Sequence, residues 1–277
     1  MKQDASPSPL RLHWWKAEPN FGDAINPLIV GHMSGRAVEH TGPRNADLFA
    51  VGSLLQVVKR GHKEPREGDR VCVWGTGLIR PVFGHEFLEN VDVALLRGPI
   101  TAALVKYHAR QFGDPGLLID EVLPFDGTVA DRIGIVPHYT QIDDPWLLAF
   151  VASDPAYLLI DPRDDTAEVC HKIAGCAHVL ASSLHGLIVA DAYGVANTWI
   201  EPEGQSWLKY LDYATSVGRT DMKAPKRLDE INGAANGTIT YRDGIAAARD
   251  ALHDSFPDKF KTDARRRQVR PARTATY

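Results

Sequence analysis

The chain has 277 residues, of which 44% are apolar and 24% are charged, a composition typical of a folded globular protein. Its net charge of −4 gives no reason to expect nucleic-acid binding, which usually requires a basic surface. Three cysteines, an odd number without CxxC spacing, support neither a disulfide framework nor a zinc ribbon. A reducing, cytoplasmic compartment is therefore the expected location.

The two ends of the chain are predicted to lie outside the folded core. Residues 1–9 are rich in Ser and Pro and have no apolar segment typical of a secretory signal, so we expect a flexible arm. Residues 261–277 contain five arginines and are predicted to be a solvated, disordered tail. A sharper interpretation is weak contact with anionic lipid headgroups at the inner face of the membrane. No apolar run is long enough to predict a transmembrane helix.

Between these ends, short apolar runs alternate with amphipathic stretches. In the first half, strands are predicted over 10–15, 47–53, 70–77 and 91–98. Helices are predicted over 54–61 and from Pro99 through 109, because Pro is well tolerated at a first helical position. Residues 20–31 are predicted to be a loop, and a short run over 113–120 ends this half.

The same alternation restarts in the second half. The predicted strands are 132–139, 156–162, 178–186 and 197–200. The predicted helices are 144–153, 165–176, 187–194 and, after a polar stretch that begins at 221, 244–256. Continuous apolar strands between helices are typical of parallel sheets covered on both faces.

These patterns predict an α/β protein with two Rossmann-like lobes and a central cleft. The lobes would comprise residues 10–125 and 126–220, joined near 121–131, with a C-terminal segment over 221–260. A single larger doubly wound sheet is the alternative.

Several common catalytic motifs are absent from the sequence. It contains no GxxxxGK[ST], HExxH or GxSxG, and no cluster with metal-ligand spacing, so no metal site is predicted. The WGTG segment lacks the third glycine of a dinucleotide fingerprint, but it indicates a sharp turn at the carboxyl end of a strand. Ligands bind at such ends, so Gly75 and Thr76 are candidate binding residues.

Two further candidate segments follow predicted strands in the first half. Asn20 and Asp23 follow the first strand, where Asp23 could also simply cap a helix. Arg97 closes a strand before Gly-Pro, and its fork of donors suits a phosphate or carboxylate. A surface ion pair is the alternative role for Arg97.

The second half adds a strand-to-helix turn with the sequence ASSLHG. Its candidates are Ser182, Ser183, His185 and Gly186, since helix N-termini present free N–H groups that bind anions. Ser183 could be only an N-cap. His185 has no structural advantage at a helix start, where positive charge is disfavoured. Lys209, on the next helix, could instead belong to a solvated face.

Six segments in order resemble the polysaccharide pyruvyltransferase family: NFGDAINPLIV, VWGTGLI, LRGPITAALV, GDPGLLI, IGIVPHY and SSLHGLIVADAYGVA. The resemblance implies a GT-B-like fold. It also implies transfer of the pyruvyl group of phosphoenolpyruvate to two sugar hydroxyls, forming a ketal. The acceptor would be a glycan or a lipid-linked oligosaccharide. Phosphoenolpyruvate would be the donor substrate, with no further cofactor.

The resemblance also implies roles for particular residues. His185 would be the acid, Asp23 and Arg97 would complete the catalytic set, and Lys209 would neutralise donor charge together with Arg97. The substrate-binding candidates are Asn20, Gly75, Thr76, His138, Ser182, Ser183, Gly186 and Lys209. A helix N-terminus lowers the pKa of a histidine and a bound phosphate raises it. We therefore hypothesise that His185 becomes a competent acid only when the donor is bound.

Two other functions are compatible with the sequence. One is a glycosyltransferase of similar fold that uses a nucleotide sugar. The other is a non-catalytic sugar- or anion-binding relative, which the joint presence of Asp23, Arg97 and His185 disfavours. The motifs do not specify the acceptor sugar or an oligomeric state.

Overall fold

The computed structural model describes residues 7–220, 222, 227–230 and 237–267. Within these ranges the chain forms two parallel β-sheets, one from each half of the chain, with helices packed around them. The predicted α/β class with parallel sheets is confirmed, and the alternative of one larger sheet is wrong. Most of the predicted arm 1–9 and part of segment 221–260 lie outside the described residues.

The first sheet has five strands: Leu10–His13 (β1), Val38–His40 (β2), Leu48–Phe49 (β3), Val71–Trp74 (β4) and Val91–Leu95 (β5). They are parallel and lie in the order β2-β1-β3-β4-β5. Four of them lie inside predicted apolar runs. The sequence does not predict β2, because it is a three-residue edge strand without a buried side chain.

The helices of the first half are Phe21–Ser34 (α1), Leu55–Gly61 (α2), Pro99–Leu104 (α3) and Ile119–Val122 (α4). The prediction of a loop over 20–31 is wrong, because α1 occupies almost all of it. Pro27 lies inside α1 and cannot donate the helical hydrogen bond to the carbonyl of Asp23. The Nδ2 of Asn26 donates to that carbonyl instead, at 3.1 Å, so the helix continues through the proline.

The second sheet has four strands: Ala130–Val136 (β6), Tyr157–Leu159 (β7), Cys176–Ala181 (β8) and Ala196–Trp199 (β9). They are parallel and lie in the order β7-β6-β8-β9. The accompanying helices are Pro145–Ala152 (α5), Thr166–Ala174 (α6), Leu184–Ala192 (α7) and Leu208–Ser216 (α8). Since α7 begins at Leu184, His185 and Gly186 lie in its first turn and not in the preceding strand.

The last helices of the described chain, Arg242–Ser255 (α9) and Asp263–Arg267 (α10), return to the first half. The backbone N–H of Thr262 donates to the carbonyl of Ser34 at the end of α1. The prediction of a disordered tail is therefore wrong for residues 262–267, and the remaining tail residues lie outside the described part. Among the described helices, none is both long and apolar enough to cross a membrane.

A continuous hydrophobic core joins the two sheets. One cluster of buried side chains contains Leu12 of β1, Val136 of β6, Ala181 of β8 and Leu252 of α9. The predicted junction near 121–131 coincides with the passage from α4 to β6. The two halves therefore meet through buried side chains over a broad contact, which fixes the strand ends of one sheet against those of the other.

Trp74 of β4 attaches α9 to the first sheet. Its Nε1 donates to the carbonyl of Leu252 and to the Oγ of Ser255, both at 3.1 Å. We expect Trp74→Phe to lower the free energy of unfolding by about 1–3 kcal/mol, because these hydrogen bonds and buried ring atoms are lost. Trp207→Phe, at a half-exposed tryptophan, should change it by less than about 0.5 kcal/mol. Urea denaturation measures both, and equal effects would contradict this role of Trp74.

Candidate active site

The strand order of each sheet creates a crevice at its carboxyl edge. In open parallel sheets, ligands bind where connections from two neighbouring strands leave in opposite directions. In the first sheet this point lies between β1 and β3, which are followed by residues 20–23 and 52–54. In the second it lies between β6 and β8, followed by 138–139 and 183–185. All four segments line one pocket, so the two crevices face each other.

This pocket has a volume of about 560 Å³, within the range of small-molecule sites. Its lining includes six of the predicted site residues: Asn20, Asp23, His138, Ser183, His185 and Lys209. The other predicted residues lie outside the lining: Gly75, Thr76, Arg97, Ser182 and Gly186. We call this candidate site the active-site pocket.

His185 lies in the first turn of α7, and only 8% of its surface is exposed. Its Nε2 is buried without a hydrogen-bond partner, which is uncommon and costly for a buried polar atom. Gly22 of α1 makes room for the imidazole, since a Cβ at that position would collide with the His185 Nδ1. Burial, together with the charges of Lys209 and Arg97, lowers the pKa of His185 to about 3. The imidazole is therefore neutral in the unliganded protein at neutral pH.

Asp23 and Lys209 approach the pocket from opposite halves of the chain. The carboxylate of Asp23 accepts a hydrogen bond of 2.7 Å from the Nδ2 of Asn20, and Asn20 rather than Asp23 caps α1. Burial raises the pKa of Asp23 to about 6, against the opposing effects of Asn20 and Lys209. Lys209 is buried, so the alternative of a solvated face is wrong. Burial, then the charge of Arg97, lowers the pKa of Lys209 to about 8.

The protonation order in the pocket differs from that of the free side chains. A free histidine binds a proton more tightly than a free carboxylate. Here Asp23 retains a proton at a higher pH than His185 does. Burial and Lys209 also lower the pKa of His138 to about 4. At pH 7 both pocket histidines are therefore neutral. As the pH falls below 7, Asp23 takes up a proton before either histidine does.

The structure places Arg97 behind the pocket wall. Its guanidinium is fully buried, and its Nε donates to Asp212 of α8 at 3.0 Å. The Nη1 donates to the Oγ of Ser53 at 2.8 Å, and the Nη2 to the carbonyl of Leu78 at 2.7 Å. Arg97 and Asp212 form an ion pair. Both side chains are fully buried, so the alternative of a surface ion pair for Arg97 is wrong. Arg97 thus connects the pocket segment at Ser53 to the helix that carries Lys209.

The predicted residues outside the pocket shape its walls. Gly75 has a φ of +84°, and a Cβ there would collide with Pro115. The buried Oγ1 of Thr76 donates to the carbonyl of Gly52 at 2.7 Å and holds the pocket turn after β3. Gly186 allows α7 to pack closely against β6 and β8.

The two serines of the SSLHG turn have different positions. Ser183 lines the pocket and caps α7 by accepting from the N–H of Gly186, as the alternative interpretation predicted. Ser182 faces away from this pocket. Its Oγ accepts from the N–H of His138 at 2.9 Å and donates to Gln141 at 2.7 Å.

Sequence reasoning missed two cations at the mouth of the pocket. Arg60 lies at the end of α2 and Arg80 follows β4, and both line the pocket with exposed side chains. Within the described part of the chain, neither guanidinium has a hydrogen-bond or ion-pair partner. Neither residue stands in a recognisable motif, and exposed arginines are frequent, so no local signal could have singled them out. Within the described ranges, no group of three His, Cys, Asp or Glu side chains is placed to hold a metal ion.

Comparison with known protein families decides the assignment. The sequence model of the polysaccharide pyruvyl transferase family matches residues 3–204. The chain belongs to this family. All pocket residues except Gln205 and Lys209 lie within the matched range. The resemblance carried by the sequence motifs is therefore confirmed, and the active-site pocket is a feature of a polysaccharide pyruvyl transferase family member.

Two relatives match over most of this family member. The succinoglycan biosynthesis protein ExoV of Rhizobium meliloti (strain 1021) is 29% identical over 226 residues, covering 76% of this chain. The alignment covers 66% of ExoV, so the chain spans just under two thirds of that relative. The uncharacterized protein L143 of Acanthamoeba polyphaga mimivirus is 27% identical over 223 residues, covering 75% of this chain and 74% of L143.

Gly22 permits the burial of His185 that lowers its pKa. In Gly22→Ala the added methyl must displace the imidazole, so we expect the pKa of His185 to rise from about 3 towards its ordinary value of 6.5. The matched control is Gly31→Ala in the same helix, where a Cβ would make ordinary contacts at 3.6 and 3.7 Å. NMR titration of the imidazole measures both variants, and an unchanged titration in Gly22→Ala would contradict this packing.

Asp212 neutralises the buried charge of Arg97. We expect Asp212→Ala to lower the free energy of unfolding by about 3–5 kcal/mol, because it leaves a buried guanidinium without a counter-charge. Asp164→Ala is the matched control, since its pair with Lys172 has the same 3.0 Å distance but is exposed, and should cost less than about 1 kcal/mol. Urea denaturation of the two variants tests the difference, which similar losses would refute.

Proposed function

We propose that the chain transfers the pyruvyl group of phosphoenolpyruvate to two hydroxyls of a sugar residue and forms a pyruvate ketal. One observation carries this proposal: a buried histidine with an unpartnered Nε2 lies in the same pocket as a carboxyl group and three cationic side chains. The reaction needs a proton donor and groups that neutralise a phosphate and a carboxylate. The pocket offers both.

The cationic side chains that line the pocket are the groups proposed to bind the donor. Lys209, Arg60 and Arg80 can contact its carboxylate and phosphate, and arginine suits both because of its planar fork of donors. Arg97 is proposed as a positioning residue that holds Ser53 and the helix of Lys209 in place. This revises the direct anion contact expected of Arg97 from the sequence.

The proposed chemistry begins with a proton transfer to carbon. Protonation of the methylene carbon makes it a methyl group and leaves a cation on the neighbouring carbon, stabilised by the enol oxygen. One sugar hydroxyl adds to this carbon and releases its proton, and phosphate leaves with the electrons of the C–O bond. The second hydroxyl then adds, releases its proton and closes the ketal. One released proton restores the acid, and the other passes to phosphate or solvent.

His185 can supply the first proton only after its pKa has risen. The unliganded pocket holds it neutral because burial and neighbouring cations disfavour a further positive charge. A bound phosphate and carboxylate would compensate Lys209 and Arg97 and favour the imidazolium. The donor would thus charge the acid that acts on it. Asp23, whose pKa is already raised to about 6, can receive a proton from the attacking hydroxyl.

The proposal extends to the arrangement of the chain and to its acceptor. Two parallel sheets whose strand ends face one pocket support a GT-B-like arrangement with the active site between the halves. The similarity to ExoV, a succinoglycan biosynthesis protein, supports a glycan or its lipid-linked precursor as the acceptor. We propose that the enzyme acts in the cytoplasm, at the inner face of the membrane, with no cofactor beyond the donor substrate.

Phosphate release from phosphoenolpyruvate, measured with a panel of galactosides and glucosides, tests the proposed function. We expect release that depends on an acceptor, together with a pyruvate ketal on that acceptor. Turnover of a nucleotide sugar without any turnover of phosphoenolpyruvate would contradict the proposal and favour a glycosyltransferase. Binding of sugars with no turnover of either donor would favour a non-catalytic relative.

Substitutions of His185 and of Arg60 and Arg80, the rim arginines, should be distinguished by their effects on kcat. His185→Gln should lower kcat by about 10²–10⁴-fold, because an amide cannot protonate carbon, and should raise KM for phosphoenolpyruvate by no more than about tenfold, because it removes the proton uptake linked to donor binding. Arg60→Ala and Arg80→Ala should each raise this KM by about tenfold with little change in kcat, since they bind charge already present in the ground state. Arg70→Ala, an exposed arginine outside the pocket, is the control. A KM effect alone in His185→Gln would make His185 a ligand for the donor and not its acid.

Binding of phosphoenolpyruvate should be linked to proton uptake. At pH 7 His185 carries no proton before the donor binds, so raising its pKa to well above 7 takes up nearly one proton per donor bound. The affinity should therefore increase as the pH falls from 8 to 6. Calorimetry in buffers of different ionisation enthalpy measures the uptake. It should be lost in His185→Gln and largely kept in Asp23→Asn, and equal uptake in wild type and His185→Gln would contradict the model of a donor-charged acid.

A further inference from the structure

A second, smaller pocket adjoins the active-site pocket on the side of the second sheet. Its volume is about 200 Å³, and we call it the side pocket. Its lining consists of Pro137, Gln141, Asp144, Trp146, Leu147, Ser182, Ile200, Glu201, Glu203, Arg227 and Leu228.

The same three chain segments contribute to both pockets. In residues 137–141, Pro137 and Gln141 line the side pocket, while His138 and Tyr139 line the active-site pocket. Ser182 lines the side pocket and the next residue lines the active site. In the segment 201–205, Glu201 and Glu203 face the side pocket and 205 the active site. A ligand that fills the active site could therefore continue into the side pocket across these segments.

The two pockets carry opposite charge. The active-site pocket contains Lys209 and the rim arginines, whereas the side pocket contains the carboxylates of Asp144, Glu201 and Glu203. Arg227 also lines the side pocket, with its Nη1 at 4.0 Å from the Oε2 of Glu201. A surplus of carboxylates repels an anionic donor. Carboxylate and amide oxygens accept hydrogen bonds, so they suit a neutral ligand that is rich in hydroxyls.

An aromatic surface borders the same pocket. Trp146 lies in the first turn of α5 and is 48% exposed. Its ring stacks on Phe150 at a centroid distance of 5.8 Å and an interplanar angle of 24°. The Oδ1 of Asp144 accepts from the N–H of Trp146 at 2.7 Å and fixes the start of the helix. Phe150 thus supports the indole, which remains about half-exposed, and such a rigid apolar surface can pack against the C–H face of a sugar ring.

We propose that the side pocket binds a neutral sugar residue of the acceptor, next to the residue that receives the pyruvyl group. Trp146 provides the stacking surface, and Gln141, Glu201 and Glu203 accept hydrogen bonds from sugar hydroxyls. The inference that this sugar lies next to the sugar that receives the pyruvyl group rests on the proposed function. The opposite charges then keep the anionic donor in the active site and direct the glycan into the side pocket.

Binding can be measured without any turnover. The indole N–H resonance of Trp146 is identified in ¹⁵N-labelled protein by its loss in Trp146→Phe. It is then followed during titration with methyl β-galactoside, methyl β-glucoside, lactose and cellobiose. We expect at least one disaccharide to shift this resonance and to bind more tightly than either monosaccharide. Phosphoenolpyruvate, titrated alone, should leave the resonance in place.

Variants at the pocket distinguish stacking from a general effect. The dissociation constant for that disaccharide, measured by calorimetry, should rise about tenfold or more in Trp146→Ala and also rise in Glu203→Gln. Trp207→Ala is the matched control, because Trp207 is 42% exposed and lies outside both linings. An unchanged constant in Trp146→Ala, or no shift with any of the four sugars, would overturn the assignment.

Phosphate release in the same proteins separates this assignment from the proposed function. If Trp146→Ala loses disaccharide binding while wild type shows no pyruvyl transfer, the side pocket is a sugar site and the proposed function is wrong. If wild type transfers pyruvyl groups and the Trp146 resonance stays in place with all four sugars, the sugar site is wrong and the function stands.

Discussion

The buried pair of Arg97 and Asp212 fixes the geometry on which the active-site pocket depends. Arg97 follows the last strand of the first sheet, and Asp212 lies on the helix that carries Lys209 into the pocket. The other donors of Arg97 hold the turn at Ser53 and the carbonyl of Leu78. A buried charge that loses its partner is strongly destabilising, so these segments can move apart only at high cost. The pair therefore fixes the position of the pocket residues of the first half relative to those of the second half.

The catalytic proposal follows from where the two sheets place their strand ends. Each sheet forms a crevice where the connections from two neighbouring strands leave in opposite directions. The shared core orients the two crevices towards each other. Burial then acts in opposite directions on the groups collected there. It favours the neutral forms, which lowers the pKa of His185 and Lys209 and raises that of Asp23. In the proposed mechanism, binding of the anionic donor favours the charged form of the acid.

Local sequence signals predicted the elements whose cause is local. β4 is a continuous apolar run, and its prediction needed only the burial of both faces. The 14-residue helix α1 was missed because Gly22 and Pro27 suggest a loop, and the contacts that compensate for them are made by other residues. The position of Arg97 could not be predicted either, since its partner lies 115 residues further along the chain. Strand-end motifs thus indicated the pocket region, while pairing across the halves decided which residues reach it.

In the proposed reaction, this pocket protonates phosphoenolpyruvate at carbon and transfers the resulting pyruvyl unit to a glycan. Turnover in D₂O with a glycan acceptor tests it most directly, because the transferred proton comes from a group that exchanges with solvent. We expect a ketal whose methyl group carries one deuterium, detected by NMR and mass spectrometry. Formation of this ketal should be lost in His185→Gln. Phosphate release without a ketal, or a ketal with an undeuterated methyl group, would contradict it.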